Sequence, residues 1–441
     1  AVIDAGTVQG VGQVSLQALD ASRIIAAAVA GGVSTQNNGA AGGATVVINQ
    51  VGNQTTARIG GGSQINADDG IAVYAGSGRL TQGGDCASAA GVDYCGNDIQ
   101  LSADANADRT SGDVNDTQVQ ELQRGAGSSS IIAVAGALGV GGKAGGLAFA
   151  YNQIGNNHSV DVGNARLDVG NGAITLEAAD DAQILALAAG LAGSTGDFAG
   201  AGSGSYNQID NTTAVRVGGG STVLQADTVS LQARDESFIG SLAGSISASS
   251  GSAGGAALTI NRVTNTTVAA IDQAVVDATG SVSLQAHNNA GILSGAVAAG
   301  IAAQNALQGS FVWADIGNSA QAVVRNTTLG AAALAIDAGN NSQIHTLAGS
   351  VAVGGNNAVG VAANVAWIHD TTHAQLHDSQ IDVAGKVSVD AASDAVTKTL
   401  AIGGAVGGQV AVAGSASANV IGSTTDAEVV GINLDAQQAG N

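Results

Sequence analysis

Residues 261–271 read NRVTNTTVAAI, and close variants stand at 207–217 (NQIDNTTAVRV) and 419–429 (NVIGSTTDAEV). The residue before the Thr pair serves as a marker. It falls at Asn53, Asn156, Asn211, Asn265, Asn318, Asp370 and Ser423, spaced by 103, 55, 54, 53, 52 and 53. The first interval is one repeat plus an insertion. A second motif keeps the same period: VSLQALD at 14–20, ITLEAAD at 174–180, VSLQARD at 229–235, VSLQAHN at 282–288 and VSVDAAS at 387–393. Self-similarity at a fixed period is the sequence sign of a stacked repeat architecture.

Aligned columns show which side faces in. Four after the marker stand Ala57, Val160, Val215, Ala269, Ala322, Ala374 and Ala427. Six after it stand Ile59, Val162, Val217, Ile271, Val324, Leu376 and Val429, with mostly polar residues between the two columns. Alternation with period two is the pattern of a half-buried strand. Beyond the VSLQA strand runs a further inward column: Ile24, Ile131, Ile184, Ile239, Ile292 and Ile344, with Thr397 as its departure. Asn49, Asn152, Asn207, Asn261 and Asn419, four before the marker, share the inward phase and read as corner residues that satisfy buried backbone groups. The Thr pair opens a strand after a turn, one Thr inward and one outward.

The composition agrees with an all-strand chain. Among 441 residues there are 67 glycines, no proline, no methionine and 2% aromatics, against 45% hydrophobic residues. Proline is excluded from interior strands because it lacks a ladder N–H. A core of Ala, Val, Ile and Leu must be thin, and one wide circuit of about 53 residues looks too large for it to fill. The expectation is therefore a parallel β-helix with about two coils of about 26 residues per repeat, three of about 18 remaining open. That would give about 17 coils and a rod of roughly 80 Å. The rod is read as a single domain over 1–441, with an insertion at 76–127 in the second repeat. The abrupt start and missing methionine suggest a processed chain or a segment of something longer.

Charge and motifs exclude several functions. A net charge of −21 opposes binding to nucleic acids and anionic membranes. No apolar run approaches the roughly 18 residues of a membrane span. Cys86 and Cys95, nine positions apart with no further Cys or His nearby, make a poor zinc site, and a disulfide is expected, favouring an oxidising setting. His369, His373 and His377 suit a helix face, but on a strand His373 and His377 stand about 13 Å apart on one side. The histidines are therefore read as solvent-facing. The acidic residues Asp180, Asp181, Asp235 and Glu236 are read as solvated corners, since Asn288, Asn289, Asn340 and Asn341 occupy the matching sites and no calcium nonapeptide is present. Sparse, repeat-following charges argue against an enzyme, a β-helix polysaccharide-cleaving one being the weaker alternative. Tyr151, Tyr206 and Trp313 share an outward column that covers a corner, meets a neighbouring rod or binds sugar weakly. No cofactor or metal is expected.

The alternation of NTTAVRV, a VSLQA strand, an IGSLAGS run and a glycine-rich return to LTINRV resembles the repeats of large secreted adhesins of Gram-negative bacteria. It is most similar to the leukotoxin-like filamentous adhesins, related in style to two-partner-secreted exoproteins. The resemblance covers nearly the whole chain except about 76–127, and the cysteine pair is not part of it. It implies a right-handed β-helix, secretion across an outer membrane, and a structural, non-catalytic role in attachment, biofilm matrix or surface display. Implied partners are the chain itself, end to end or laterally, or a host or matrix surface. A self-assembling filament subunit is the alternative. The insertion, which breaks the periodic chemistry, is the expected place for selective binding.

Overall fold

The computed structural model describes residues 1–36, 38–77 and 129–434. Every ladder among them is parallel. Thr212–Ala226 lies beside Thr266–Ala278, Thr228–Ser249 beside Ser281–Ala302, and Ser252–Val263 beside Asn305–Ile316. No helix occurs among the described residues. The chain is a parallel β-helix.

The coil count differs from the sequence expectation. Val229 pairs with Val282 and Thr371 with Thr424, so chain neighbours in the stack are a full repeat apart. One repeat is one coil, not two. The described residues therefore form about seven coils and a stack of about 34 Å.

The circuit avoids a wide core by pinching. In each coil the strands after the marker and the VSLQA strand enclose an aliphatic head. In one coil this holds Val215, Val217, Leu224, Val229, Leu231 and Ala233, all buried in one continuous cluster with their counterparts. The chain then runs outward along Thr228–Ser249, turns, and returns along Ser252–Val263. These two walls face each other as a narrow arm. Its base is closed by Ile239 and Val263, its middle by Ala243 and Ala257, its tip by Ala253.

Small inward residues let the arm walls approach closely. A Cβ added to Gly190 would meet the Gly202 carbonyl oxygen at 2.2 Å, and one on Gly146 the Leu191 oxygen at 2.2 Å. One on Gly403 would meet the Gly414 oxygen at 2.1 Å. Ordinary stacked sheets stand about 10 Å apart because side chains interdigitate between them. Here backbone faces backbone with nothing larger than Ala, Ser or Thr over most of the span.

Ile131, Ile184, Ile239, Ile292, Ile344, Val217, Ile271, Val324 and Leu376 are all buried. Ile24 is half-buried in the first described coil, and Val429 is exposed in the last. Among the described residues each of those coils has a neighbour on one side only. The wall is interrupted at one corner, where Gly76 lies beside Ala179 and Ser129 beside Ala182. Most of the expected insertion, with Cys86, Cys95 and their expected disulfide, lies outside the described residues.

Candidate functional site

The chemistry-bearing side chains converge on the junction between head and arm. Three columns meet there. One is the marker column. The second lies two residues later: Thr55, His158, Thr213, Thr267, Ala320 and Thr372. The third follows the VSLQA strand: Asp180, Asp235, Asn288 and Asn340. Strand parity puts the third column inward, two residues beyond the buried Ala178 and Ala233.

Asp180 and Asp235 are 2% and 1% exposed, so the expectation of solvated corners is overturned for them and for the buried Asn288 and Asn340. Asp181 and Glu236 are the members that reach solvent. A buried carboxylate requires hydrogen-bond partners, and each finds them both on its own coil and on an adjacent one. Asp180 Oδ1 accepts from Ser77 Oγ at 2.6 Å and Asn156 Nδ2 at 3.1 Å, and lies 2.9 Å from His158 Nε2. Asp235 accepts from Ser237 Oγ at 2.7 Å, from Asn211 Nδ2 at 3.4 Å and from Asn265 Nδ2. Farther along, Asn288 Nδ2 donates to Asn340 Oδ1 at 2.9 Å, and Asn340 Nδ2 donates to the Thr371 carbonyl at 2.9 Å. His158 is fully buried, contrary to the solvent-facing reading.

The marker asparagine has a defined task. Asn156 N donates to Asn211 Oδ1 at 2.9 Å, Asn211 N to Asn265 Oδ1 at 3.1 Å, and Asn265 N to Asn318 Oδ1 at 3.0 Å. Asn318 N donates to Asp370 Oδ1 at 2.9 Å. At this corner the next coil's side chain takes the N–H that a carbonyl takes in the strands. The Asn–Thr–Thr motif recurs because each corner must be stapled to the next.

A second ladder runs along the arm base. Asn49 Nδ2 donates to Asn152 Oδ1, Asn152 to Asn207, and Asn207 to Asn261, each at 2.8 Å. Asn261 then donates to Ser294 Oγ at 2.8 Å. The corner reading is corrected for these asparagines: they stand inside strands and bond amide to amide, and with one coil per repeat they are direct neighbours. Ala314 and Ala366 end the ladder, and Asn419 turns to Thr399 Oγ1 at 2.9 Å.

Burial dominates the electrostatics. It raises the Asp235 carboxyl well above its ordinary value, and the neighbouring Asp180 adds to the shift. Burial pushes Asp181 up to about 6, helped by Glu236 and Asp180. Asp370 is raised by burial although it accepts the Asn318 N–H. Asp315 is raised by burial too, against the opposing pull of His369 and Arg262.

The remaining histidines are partly exposed, and His287, His369, His373 and His377 pair across coils. His287 lies 3.1 Å from Asp337, His369 3.3 Å from Asp315, and His377 3.2 Å from Glu428. His369 also meets Trp367 edge-on at 5.4 Å. Among the described residues, no three His, Cys, Asp or Glu side chains stand together as a metal site. Tyr151 and Tyr206 face outward as the column predicted and stack at 5.2 Å with nearly parallel rings.

Asp180, Asp235 and His158 are enclosed within the wall, and bonds from Ser77 and Asn265 tie the two carboxyls to adjacent coils. No protein-family model, curated protein or solved structure matches this chain.

Proposed function

We propose that the chain is a structural, non-catalytic segment of an extracellular bacterial adhesin or filament, a rigid element for attachment, matrix building or surface display. The observation that supports this most is the use of the polar side chains. Inward Asn, Asp and Ser side chains staple coil to coil at the marker corner, the junction and the arm base. Such a stack resists local opening because each coil is held through both backbone ladders and side-chain bonds. Its outer faces repeat similar chemistry at each coil, which suits multivalent contact with an extended surface.

Beads coated with the chain are expected to retain cells or matrix polymers above bare beads. Retention equal to bare beads would overturn the attachment role. Incubation with a panel of polysaccharides is expected to release no reducing ends; release that survives repurification would establish catalysis instead.

A further inference from the structure

We propose that the outer face of the outgoing arm wall is an interface that packs against the same face of a second copy of this chain. Four neighbouring columns define it. They begin at Ala27, Val29, Gly31 and Val33 and end in the seventh coil at Leu400, Ile402, Gly404 and Val406. Every position between is Gly, Ala, Val, Leu or Ile. The large side chains stand in solvent: Val29 is 79% exposed, Ile246 55%, Leu400 53%.

Two features point to a second copy. The first is area. Seven coils by seven strand residues make a face of about 34 Å by about 23 Å, roughly 800 Å². That is about what one partner contributes to a standard interface, and more than monomers usually leave bare. The second is relief and charge. Along each column large and small residues mix, as in Leu187, Leu242, Gly295, Leu347 and in Ala189, Gly244, Val297, Gly349. Two such faces can interdigitate as the inner faces of a sandwich do. The chain carries −21 overall, so two copies repel except where both are uncharged. This face meets that condition, with His345 and Lys398 only at its edge. The returning wall is less suited, because Lys143, Asn305, Asn357, Arg262 and Asp315 border its apolar middle. A two-fold pairing puts the central coil on the axis, near Gly244. The inference does not depend on adhesion.

The test uses the full chain in solution. Sedimentation is expected to show a concentration-dependent dimer. Leu242→Asp with Leu347→Asp should raise the dissociation constant by at least about a hundredfold, because like charges then meet in a desolvated patch. The same charges on the other wall, Ile48→Asp with Leu307→Asp, should leave it nearly unchanged. Circular dichroism of both variants checks that the strands persist. In a Cys86→Ser, Cys95→Ser background, Gly244→Cys should form a disulfide-linked dimer and Gly309→Cys, on the returning wall, should not; an added Cβ meets no atom within 4 Å at either site. A monomer at all concentrations, dimers insensitive to Leu242→Asp with Leu347→Asp, or cross-linking only through Gly309→Cys would each overturn the proposal. Binding to uncharged phosphatidylcholine vesicles by a chain that stays monomeric would assign the face to lipid and overturn it as well.

Discussion

The head and the arm of each coil solve the same problem in opposite ways. In the head, Val217, Leu231 and Ile271 point inward and fill the space between three wall segments. In the arm the inward positions are mostly Ala, Gly, Ser and Thr, with Asn at the base and Gln308 and Val312 as exceptions, and the large aliphatics, Leu242 and Ile246 among them, point out. A wall segment that meets two others encloses volume and needs bulk. Two walls that run side by side enclose almost none, and bulk between them would force them apart. The difference shows that inward and apolar are separate properties. The head is stabilised by hydrophobic burial, the arm by backbone ladders, close approach and Asn, Ser and Thr bonds.

Replacements can break that contrast. Ile271→Asp should have the largest effect, several kcal/mol, because it leaves a charge in the sealed head. Hydrogen exchange should show the loss of order centred on its own coil. The same change at Ile246, on the arm's outer face, should leave the strand signal of the monomer intact. Equal damage from both would refute the inverted arm. Leu231→Ala comes next, at about 2–5 kcal/mol by cavity formation, measurable by denaturant unfolding.

Gly190→Ala tests the arm from inside. Its methyl would press on the Gly202 and Gly146 carbonyl oxygens, at 2.2 and 2.8 Å. A loss of about 1–3 kcal/mol is expected, as for overpacking. A neutral or stabilising outcome would mean that the walls can separate.

The junction between head and arm predicts a pH effect. Asp181 and Asp235 have raised carboxyl pKa values, chiefly through burial. Folding therefore favours their protonated forms. Their contribution is fully present below the ordinary carboxylate value of 3.8 and is lost as pH rises through the folded value, about 6 for Asp181. Thermal melts should rise by a few degrees from pH 7.5 to pH 5. Asp235→Asn should diminish the rise; a Tm that falls over that range would refute the assignment. The smallest expected effect is Leu242→Ala in the monomer, within about 0.5 kcal/mol, since that side chain is solvated. A cost like that of Leu231→Ala would show that the arm buries what the structure exposes.

Much of this was legible in the sequence. The period of 53, the strand alternation and the inward columns of Ile239 and Ile271 follow from spacing, because ladder neighbours repeat the same environment. The marker corner was legible as a corner. Asp180 and Asp235 were also within reach, since their parity matches Leu176 and Leu231. Their acidity and place beside a turn point to solvent instead, where such residues ordinarily sit. His158 was within reach too, in the inward column of Thr213 and Thr267. The arm left a fainter signal. After Ile239 the bulky residues Leu242 and Ile246 fall out of phase with it, while Ala243 keeps the inward phase.

Sequence alone determined the repeat, the strands and which side of each wall a residue occupies, because those depend on local periodicity and on self-similarity along the chain. The tertiary structure decided how many coils a repeat makes, where opposite walls meet, and that the asparagines at the arm base stand one above another. Parity gives the direction of a side chain but not the distance to what it faces. That distance is set by how the whole circuit closes, and closure depends on the bulk of the head and the smallness of the arm together.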